Sequence, residues 1–489
     1  MNNTESTPCP NCAQSQLEIA YLKQELSLLK RMIFGQKRER FIPYSLNEQQ
    51  QLGLGLETAA EAEKEPGTIT YHRSKGKPSK PLHNGRNPLP SHLPRKEIII
   101  EPEEKTKDCK VIGEEITEEL EYRPGRLFVN RYVRIKYINE KTEQIRIGDL
   151  PSRPIEKGIA GPGLLSQILV SKYIDHLPLY RQIRQYKREG VDIAESTLND
   201  WIKYSCQLLQ VLYERHLKQV LSTDYIMIDE TPIRVLDKMK RGKTHTGYFW
   251  VYYAPLQKIV YFDYRDNRGR DGPFTILEDY KGHIQTDAYT VYEKLSRENR
   301  LIHLGCFAHA RRYFDQSLKT DNKRSTWMLE QIGRLYAIER QARDQQYSFD
   351  KRYALRQKES IPILSEIKGW LDDEMEQVLP KSLIGKAVIY MKGNWERLIR
   401  YTEDGRFEID NNLVENAIRP VALGRKNYLF AGSHNGAGRA ALIYSLVGTA
   451  KLHQVEPWQY LNDIVNRISE YPYSKIDELL PQNWQSTTP

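Results

Sequence analysis

The stretch Thr223-Asp-Tyr-Ile-Met-Ile-Asp-Glu-Thr-Pro232 joins a short apolar run to two adjacent acidic residues. Residues 225–228 are long enough for a buried β-strand and too short for a helix, and Pro232 is expected to stop the strand. Because side chains alternate along a strand, Asp229 and Glu230 must point to opposite faces. An acid at the end of an apolar strand is costly unless it is paired or bound to a metal. A salt-bridge or capping role and a metal-binding role are therefore both open here.

The sequence from residue 225 to 304 predicts a five-stranded sheet with a definite order of strands and helices. Strands are predicted at 225–228, 247–253, 259–262, 283–285 and 301–304, with helices at 273–280 and 289–298. Three consecutive strands, then helix, strand, helix and strand, is the order of a ribonuclease-H-like sheet. The fourth predicted strand ends in Thr286-Asp287-Ala288, which places a second acid at a strand terminus.

A third acid follows a long helical segment. Residues 313–400 show helical periodicity and no acid-ended strand, so they are predicted to be an inserted helical block. Glu415 then lies about one turn into a helix that opens near Asp410, a capping residue that could itself reach a metal. A glycine-rich turn at 432–438 precedes an apolar helix at 440–452.

Three carboxylates brought together on two strands and a helix would form a divalent-metal site. Crowded carboxylates repel one another and become harder to ionise, and a bound cation relieves this repulsion. Mg²⁺ prefers hard oxygen ligands and keeps some of its waters. Two such ions about 3.5–4 Å apart can assist phosphodiester displacement. Asp229, Asp287 and Glu415 are the candidate ligands.

Composition limits the class of protein. The chain has 489 residues, 73 Lys and Arg against 64 Asp and Glu, a net charge of +9 and 31 Tyr, which predicts several domains with a large core. The positive excess is compatible with a nucleic-acid partner without establishing one. The polar start and the absence of any run of membrane-spanning length predict an intracellular protein. Five scattered cysteines form no disulfide framework.

The N-terminal segments suggest assembly or docking functions. Apolar residues at 19, 22, 26, 29 and 33 form an a/d seam, which suits either a leucine-zipper-like dimer or a short helix docked on its own chain. Cys9 and Cys12 have the spacing of half a zinc site, with no second half nearby. Residues 70–96 carry seven basic residues, five prolines and no acid. Such a linker can track phosphates or simply be solvated.

Two further units precede the sheet. Residues 97–150 are predicted to be a small β-rich unit, with strands at 98–100, 126–129 and 132–138. Helices at 179–188 and 196–209, separated by a turn at Gly190 and with Ser196 as N-cap, suit a DNA-binding helix-turn-helix, although such helix pairs also occur without DNA. The first of them carries the candidate DNA contacts Arg181, Arg184, Lys187 and Arg188.

Several motifs together resemble the insertion-sequence sixty-six family of DDE transposases. They are Ile-Asp-Glu-Thr-Pro at 228–232, Gln-Thr-Asp-Ala-Tyr at 285–289, Cys-Phe-Ala-His-Ala-Arg-Arg at 306–312 and the segment 410–420, with further similarity at 33–40, 88–94, 112–122 and 476–484. The resemblance covers nearly the whole chain. It implies a ribonuclease-H-like core in which Asp229, Asp287 and Glu415 are the catalytic triad and the metal ligands.

The resemblance also implies cofactors, partners and location. Mg²⁺ or Mn²⁺ would be the cofactor, as two ions. DNA would be the partner, as the terminal inverted repeats of the element and as target DNA. A homo-oligomer on DNA and small accessory proteins from the same element are expected, without a membrane partner. The place of action would be the bacterial cytoplasm, in association with the nucleoid.

A zinc unit and a cysteine–histidine pair are two further points of comparison with the family. Family members usually carry a four-cysteine zinc unit, but only Cys109 stands at its first pair and the second pair is replaced around 137–140, so zinc is not expected. The pair Cys306 and His309 is similar to a motif of many DDE enzymes and is expected next to the site, with a buried, hydrogen-bonded His309 favoured over a metal ligand. Further candidate contacts to DNA phosphates are Arg311, Arg312, Arg419, Arg425 and Lys426.

The predicted architecture is therefore a multidomain α/β protein. Its units are a zipper-like helix (1–46), a basic linker (47–96), the β-rich unit (97–150), a helix-turn-helix region (151–222), the first part of the core (223–312), the helical insertion (313–400), the returning core with Glu415 (401–452) and a C-terminal segment (453–489). The predicted function is a transposase that cuts element ends and joins them to target DNA. The alternatives are a ribonuclease-H-like nuclease without joining and a DNA-binding regulator in which the acids are structural.

Overall fold

The computed structural model of the chain describes residues 125, 127–131, 136–138, 145–147, 152–156, 158–236, 243–287, 289–299 and 301–486. The predicted zipper-like helix, the Cys9 and Cys12 pair, the basic linker, Cys109 and the strand at 98–100 lie outside the described residues. The strands are β1 Lys136–Ile138, β2 Ile145–Ile147, β3 Tyr225–Leu236, β4 Thr244–Ala254, β5 Ile259–Arg265, β6 His283–Gln285 and β7 Ile302–Leu304.

Helices make up most of the remaining described chain. The α-helices are α1 Pro162–Tyr173, α2 Leu179–Arg188, α3 Glu195–Leu221, α4 Asp271–Ile276, α5 Thr290–Asn299, α6 Phe307–Ser317, α7 Asn322–Asp344, α8 Phe349–Leu355, α9 Ile361–Met375, α10 Leu383–Gly393, α11 Trp395–Ile399, α12 Asn412–Tyr428, α13 His434–Leu452 and α14 Pro457–Arg467. A π-helical turn, Arg356–Ser360, joins α8 to α9. Short 3₁₀ turns lie at Arg400–Thr402, Ile468–Glu470 and Tyr473–Leu479. None of the described helices is both long and apolar enough to span a membrane.

A five-stranded mixed sheet has the order β5-β4-β3-β6-β7. Its first three strands are antiparallel neighbours, whereas β3, β6 and β7 run parallel. The helices α4 and α5 precede and follow β6 in the chain, as predicted. The mixed α/β class is confirmed, and β3 is the central strand on which both halves of the sheet are built.

The alternation predicted for β3 is confirmed by the two hydrophobic cores on either side of it. Tyr225 and Met227 lie in the larger core, which also contains buried residues of α12 and α13. Ile226 and Ile228 lie in the smaller core with Trp250 of β4. Burial of apolar area stabilises each core by about 25 cal/mol per Å². A shift of one residue in register would move every side chain of β3 into the wrong core.

At the outer edge of the sheet, the backbone amides of β5 are bonded by side chains of α13. The Val260 amide donates to Thr449 Oγ1 (3.0 Å), and the Phe262 amide donates to Ser445 Oγ (2.8 Å). Both hydroxyls belong to buried residues of α13. The unpaired backbone groups of an edge strand would otherwise be free to pair with another chain, so α13 closes this edge.

The prediction that Pro232 stops the central strand is wrong, because β3 continues to Leu236. The Arg234 carbonyl accepts from the Ala431 amide (2.8 Å), so the backbone groups of Arg234 point away from β4. Backbone groups alternate in direction, so those of Pro232 point the same way. β6 pairs only with Tyr225–Met227, and the missing N–H of Pro232 therefore interrupts no pairing with a neighbouring strand.

Other local predictions also fail or shift. Residues 127–129 form no strand, and Phe128 and Val129 are 82% and 92% exposed, because no strand among the described residues pairs with them. The end of the predicted strand 132–138 is confirmed as β1, which pairs with β2, a strand that sequence reasoning missed.

The boundaries of three helices differ from prediction. Helix α3 begins at Glu195 after Ala194, so Ser196 is not the N-cap, and it extends to Leu221 because buried residues continue along it. Helix α4 ends at Ile276 rather than at residue 280. Helix α13 begins at His434 because Ser433 Oγ accepts from the Gly436 amide, a cap strong enough to offset the low helix propensity of glycine.

The prediction that 313–400 is helical is confirmed, and a buried ion pair lies within this helical block. Arg356 is 0% exposed and donates from Nε and Nη2 to the Glu339 carboxylate at 2.8 Å. Its remaining N–H groups donate to the carbonyls of Tyr401, Asp404 and Phe407 at 2.5, 2.7 and 2.7 Å. All five guanidinium donors are thus satisfied, and the segment that leads to α12 is held against the helical block.

A carboxylate cluster as the candidate active site

The register of the parallel strands brings Asp229 and Asp287 together. Met227 of β3 is opposite Gln285 of β6, and each acid lies two residues further along its own chain. Neighbouring strands are about 4.8 Å apart, so the backbone places the two acids side by side at one edge of the paired region. Asp287 Oδ1 accepts from the Tyr289 amide (3.0 Å), and the acid thereby fixes the turn into α5.

Glu415 approaches from α12. This helix packs against β3 and β4, with Val414 and Ile418 buried in the larger core, the side of the sheet to which Asp229 points. The N-cap residue of α12 is Asn411. Cys306 Sγ donates to Asn411 Oδ1 (2.8 Å) and accepts from the Asn411 amide (3.4 Å), so the start of α6 anchors the start of α12. This contact sets the position from which Glu415 extends.

The charges of neighbouring acids act on Asp229 and on Glu415. Burial raises the pKa of Asp229 well above its usual value, and the charges of Glu230, Glu415 and Asp287 raise it further. The Glu230 amide, which donates to Asp229 Oδ1 (2.8 Å), opposes this change. Burial also raises the pKa of Glu415, with Arg312 opposing and Asp287 adding to the rise. The site therefore concentrates negative charge from three separate elements.

The carboxylate oxygens of the cluster are the ligand type that a hard divalent cation prefers, although the three side chains do not surround a common position. Among the described residues, no three His, Cys, Asp or Glu side chains are close enough to enclose a metal ion. Mg²⁺ keeps several waters and needs only one or two direct carboxylates. Asp229 and Asp287 each use Oδ1 to accept a backbone amide, and no described residue donates to Oδ2 of either acid. One oxygen of each acid is thus oriented by the fold and the other is left for a ligand.

Asp410, the alternative third acid, is directed elsewhere. It is 6% exposed, and its Oδ2 accepts from Tyr336 Oη (2.7 Å) and Asn412 Nδ2 (2.8 Å). Its Oδ1 accepts from the Asn412 amide (3.0 Å). Asp410 is therefore hydrogen-bonded to α7 and to the first residue of α12. The prediction that Asp410 is the N-cap residue is wrong, because Asn411 holds that position. Glu415 is the acid left for the cluster.

Glu230 has a bracing role that sequence reasoning missed. Its side chain is 3% exposed and accepts from Arg268 Nε (2.8 Å), from Arg268 Nη2 and from Tyr292 Oη (2.8 Å). The Arg268 guanidinium lies 4.2 Å from the centre of the Tyr289 ring, whose hydroxyl donates to the Arg268 carbonyl (3.2 Å). Glu230 thus ties β3 to the turn that carries Asp287. The sequence feature that could have indicated this role is the pair of tyrosines at 289 and 292, which follow the second acid closely.

We expect Glu230→Ala to destabilise the protein by about 1–3 kcal/mol, because Tyr292 Oη and the Arg268 guanidinium lose a buried partner. Chemical denaturation of the full chain measures this. Glu366→Ala is the matched control, because the pair of Glu366 with Arg334 is 54% and 52% exposed and such pairs contribute about 0–1 kcal/mol. Equal costs for the two substitutions would contradict the bracing role.

The predicted DNA contacts fall into different environments. On α2, Arg181, Arg184, Lys187 and Arg188 are all exposed. On α6, Arg312 is exposed and acts electrostatically on Glu415, whereas Arg311 is half-buried. On α12, Arg419 and Lys426 are exposed, but Arg425 is half-buried and donates to the Pro232 carbonyl. Arg425 therefore links α12 to β3.

The pair Cys306 and His309 lies beside the cluster. Cys306 is buried and bonds to Asn411, as described above. Burial and Arg312 lower the pKa of His309, whereas Asp287 raises it. His309 Nδ1 has no hydrogen-bond partner within the described residues, so the prediction of a hydrogen-bonded histidine is wrong for this nitrogen.

The fold and the site define a mixed α/β protein with a carboxylate-cluster site on its central sheet. Residues 157–439 match the family described as Transposase IS66 family, and the chain belongs to this family. Residues 21–98 match a second family described as Transposase C of IS166 homeodomain, and residues 445–482 match the IS66 C-terminal element. The family inferred from the motifs is confirmed.

Similar proteins occur in Sinorhizobium fredii (strain NBRC 101917 / NGR234). Uncharacterized protein y4hP is 31% identical to this chain, over 96% of this chain and 89% of its own length. Uncharacterized protein y4jD is also 31% identical, over 95% of this chain and 94% of its own length. The similarity therefore extends along nearly the whole chain.

Proposed function

We propose that this chain is a DDE transposase with a ribonuclease-H-like core, which cuts DNA at the ends of its insertion sequence and joins them to target DNA. The observation that carries the proposal is that burial raises the pKa of Asp229 on β3, and that the charges of Glu415 on α12 and of Asp287 after β6 add to this rise. Membership of a transposase family and the sheet order β5-β4-β3-β6-β7 support it.

Asp229, Asp287 and Glu415 would hold divalent metal, Mg²⁺ or Mn²⁺, as two ions. Such ions supply activation of an attacking oxygen and stabilisation of a leaving oxygen in phosphodiester displacement. The chain orients the ligands: backbone amides fix Oδ1 of both aspartates, and the Cys306 contact fixes the start of α12. Arg312 and the exposed basic residues of α2 and α12 would contact DNA phosphates.

Assembly and location follow from the same proposal. The protein would act as a homo-oligomer on DNA, with accessory proteins of the same element, in association with the bacterial nucleoid. The N-terminal units would contribute to recognition of the element ends, and the units from 223 to 452 would carry the chemistry.

A strand-transfer assay tests the proposal against its alternatives. The full chain is incubated with duplexes that carry the terminal sequences of its own insertion sequence, with a supercoiled plasmid target, and with Mg²⁺ or EDTA. Metal-dependent joined products support the transposase. Metal-dependent cleavage without joining would favour a nuclease, and binding without either product would favour a regulator.

We expect Asp229→Asn to stabilise the metal-free protein at pH 8 by about 0.5–2 kcal/mol. The pKa of Asp229 is raised on folding, so the folded state binds its proton more tightly than the unfolded state does. Stability is therefore lost as pH rises from the unfolded pKa through the folded pKa, and asparagine removes this loss. Thermal denaturation in EDTA measures the difference.

Added Mg²⁺ should raise the melting temperature of the wild type, because an ion that binds only the folded state stabilises it. The Asp229→Asn variant should show little or none of this increase. An equal Mg²⁺-dependent increase in the two proteins would contradict metal binding by Asp229, whatever the enzymatic activity of either.

A further inference from the structure

The C-terminal end of α12 is a strained, exposed apolar tip, formed by Leu429 and Phe430. Leu429 has φ 56° and ψ −41°, and the Phe430 amide donates to the Tyr428 carbonyl across it. This is a γ-turn with positive φ at its centre, a rare and strained form. Glycine takes such a conformation without strain, whereas a bulky residue is an outlier. Leu429 is nevertheless 65% exposed and Phe430 is 40% exposed.

The tip is held at a fixed distance from Asp229. Directly after it, the Ala431 amide donates to the Arg234 carbonyl (2.8 Å), and the Leu236 amide donates to the Ala431 carbonyl (2.9 Å). Both partners belong to β3, the strand that carries Asp229. Val235, which is opposite Ala431, lies six positions along the strand from Asp229, so the two residues are about 20 Å apart.

The outer face of α12 joins the tip to the carboxylate cluster. Asn416, Arg419, Leu423 and Lys426 are exposed and are spaced by three or four residues, so they lie on one side of the helix. Residues 416–455 contain five Lys and Arg and no Asp or Glu. The exposed residues of α12 beyond Glu415 are therefore positive or neutral, which complements a phosphate backbone.

We propose that the outer face of α12 follows a DNA backbone away from the cluster, and that Leu429 and Phe430 insert between bases near its far end. This rests on the proposed function, since it names how the same site holds its DNA. A distance of about 20 Å corresponds to about six base-pair steps of 3.4 Å. Apolar side chains wedged between base steps unstack them and bend the duplex. The rigid anchoring on β3 would set where the wedge acts.

The test uses the full chain in EDTA, so that binding is measured without cleavage. The probe is a duplex with the terminal sequence of the insertion sequence, labelled with 2-aminopurine at successive positions from the cleavage point. We expect wild-type binding to increase the fluorescence at a step about six base pairs away. The double variant Leu429→Gly with Phe430→Ala should lose this increase and bind about tenfold more weakly.

Control variants distinguish insertion of the apolar tip between bases from the phosphate contacts of the basic residues. Leu379→Ala removes another exposed leucine, 77% exposed in the helical block, and should change neither signal. Arg419→Ala and Lys426→Ala should each weaken binding and reduce the salt slope by about one, while the fluorescence increase persists. Leu429→Gly relieves the positive-φ strain, so the double variant is expected to stay folded, which denaturation checks.

Three results would overturn this proposal alone. One is a double variant that binds DNA with the same affinity as the wild type and gives the same increase in fluorescence. Another is a change in the molar mass of that variant without DNA, measured by light scattering, which would make the tip an interface with a second copy. The third is binding of DNA by the wild-type protein without any increase in 2-aminopurine fluorescence. That result would contradict insertion between bases and leave the proposed function intact. Absence of DNA binding by the wild type would contradict both proposals.

Discussion

Asp229→Asn, Asp287→Asn and Glu415→Gln are each expected to abolish metal-dependent cleavage and joining while leaving binding to the element ends nearly intact. Metal ligation needs the negative oxygens, whereas DNA docking would depend on other segments. A loss of several kcal/mol in transition-state stabilisation corresponds to about 10³-fold or more in rate. Single-turnover cleavage and strand-transfer assays, beside a binding assay in EDTA, measure the two properties separately.

Asp410→Asn is the informative comparison for the third acid. Asp410 lies five residues before Glu415, but its oxygens are bonded to Tyr336 and Asn412. We therefore expect Asp410→Asn to lower stability and to retain chemistry. Full strand transfer by any of the three triad variants would contradict the triad, as would an active Glu415→Gln beside an inactive Asp410→Asn.

Arg356→Ala is expected to destabilise the protein by about 3–5 kcal/mol, because removing one partner of a buried ion pair leaves the other without full compensation. Glu339 would keep only Arg352, and the carbonyls of Tyr401, Asp404 and Phe407 would lose their donor. Arg356→Lys should recover only part of the loss, because lysine has three donors and lacks the planar geometry of a guanidinium.

Urea denaturation of the full chain measures these costs. Lys368→Ala is the control, because Lys368 and Asp372 form a pair that is 40% and 47% exposed and contributes about 0–1 kcal/mol. A cost for Arg356→Ala no larger than that of the control would contradict the role given to the buried pair.

The destabilisation caused by Arg356→Ala should reach the candidate active site through Glu408. Arg352 bonds both Glu339 and Glu408, at 2.7 Å to each carboxylate. The Glu408 amide donates to Tyr225 Oη (3.1 Å), and its carbonyl accepts from Gln285 Nε2 (2.8 Å). Tyr225 and Gln285 belong to the two strands that lead to Asp229 and Asp287. The helical block is thereby bonded to both strands.

The central strand shows how far sequence reasoning extended. The alternation of Tyr225 to Glu230 predicted which face each side chain occupies, and the two cores confirm the apolar positions. The same reasoning ended the strand at Pro232. A proline disrupts a strand only where its missing N–H would have had a partner, and whether a partner strand lies there depends on β6, about 50 residues away in the chain.

A few neighbouring residues and the family motifs were enough to predict the order of elements in the five-stranded sheet, the facing of β3, the helical block and membership of the transposase family. The side-chain partners could not be predicted in this way. Glu230 and Arg268 are 38 residues apart, Cys306 and Asn411 are 105 apart, and Arg425 and Pro232 are 193 apart. Side-chain period is encoded locally, whereas such contacts depend on how distant elements pack. That packing is why Glu230 became a brace and Arg425 a link between α12 and β3.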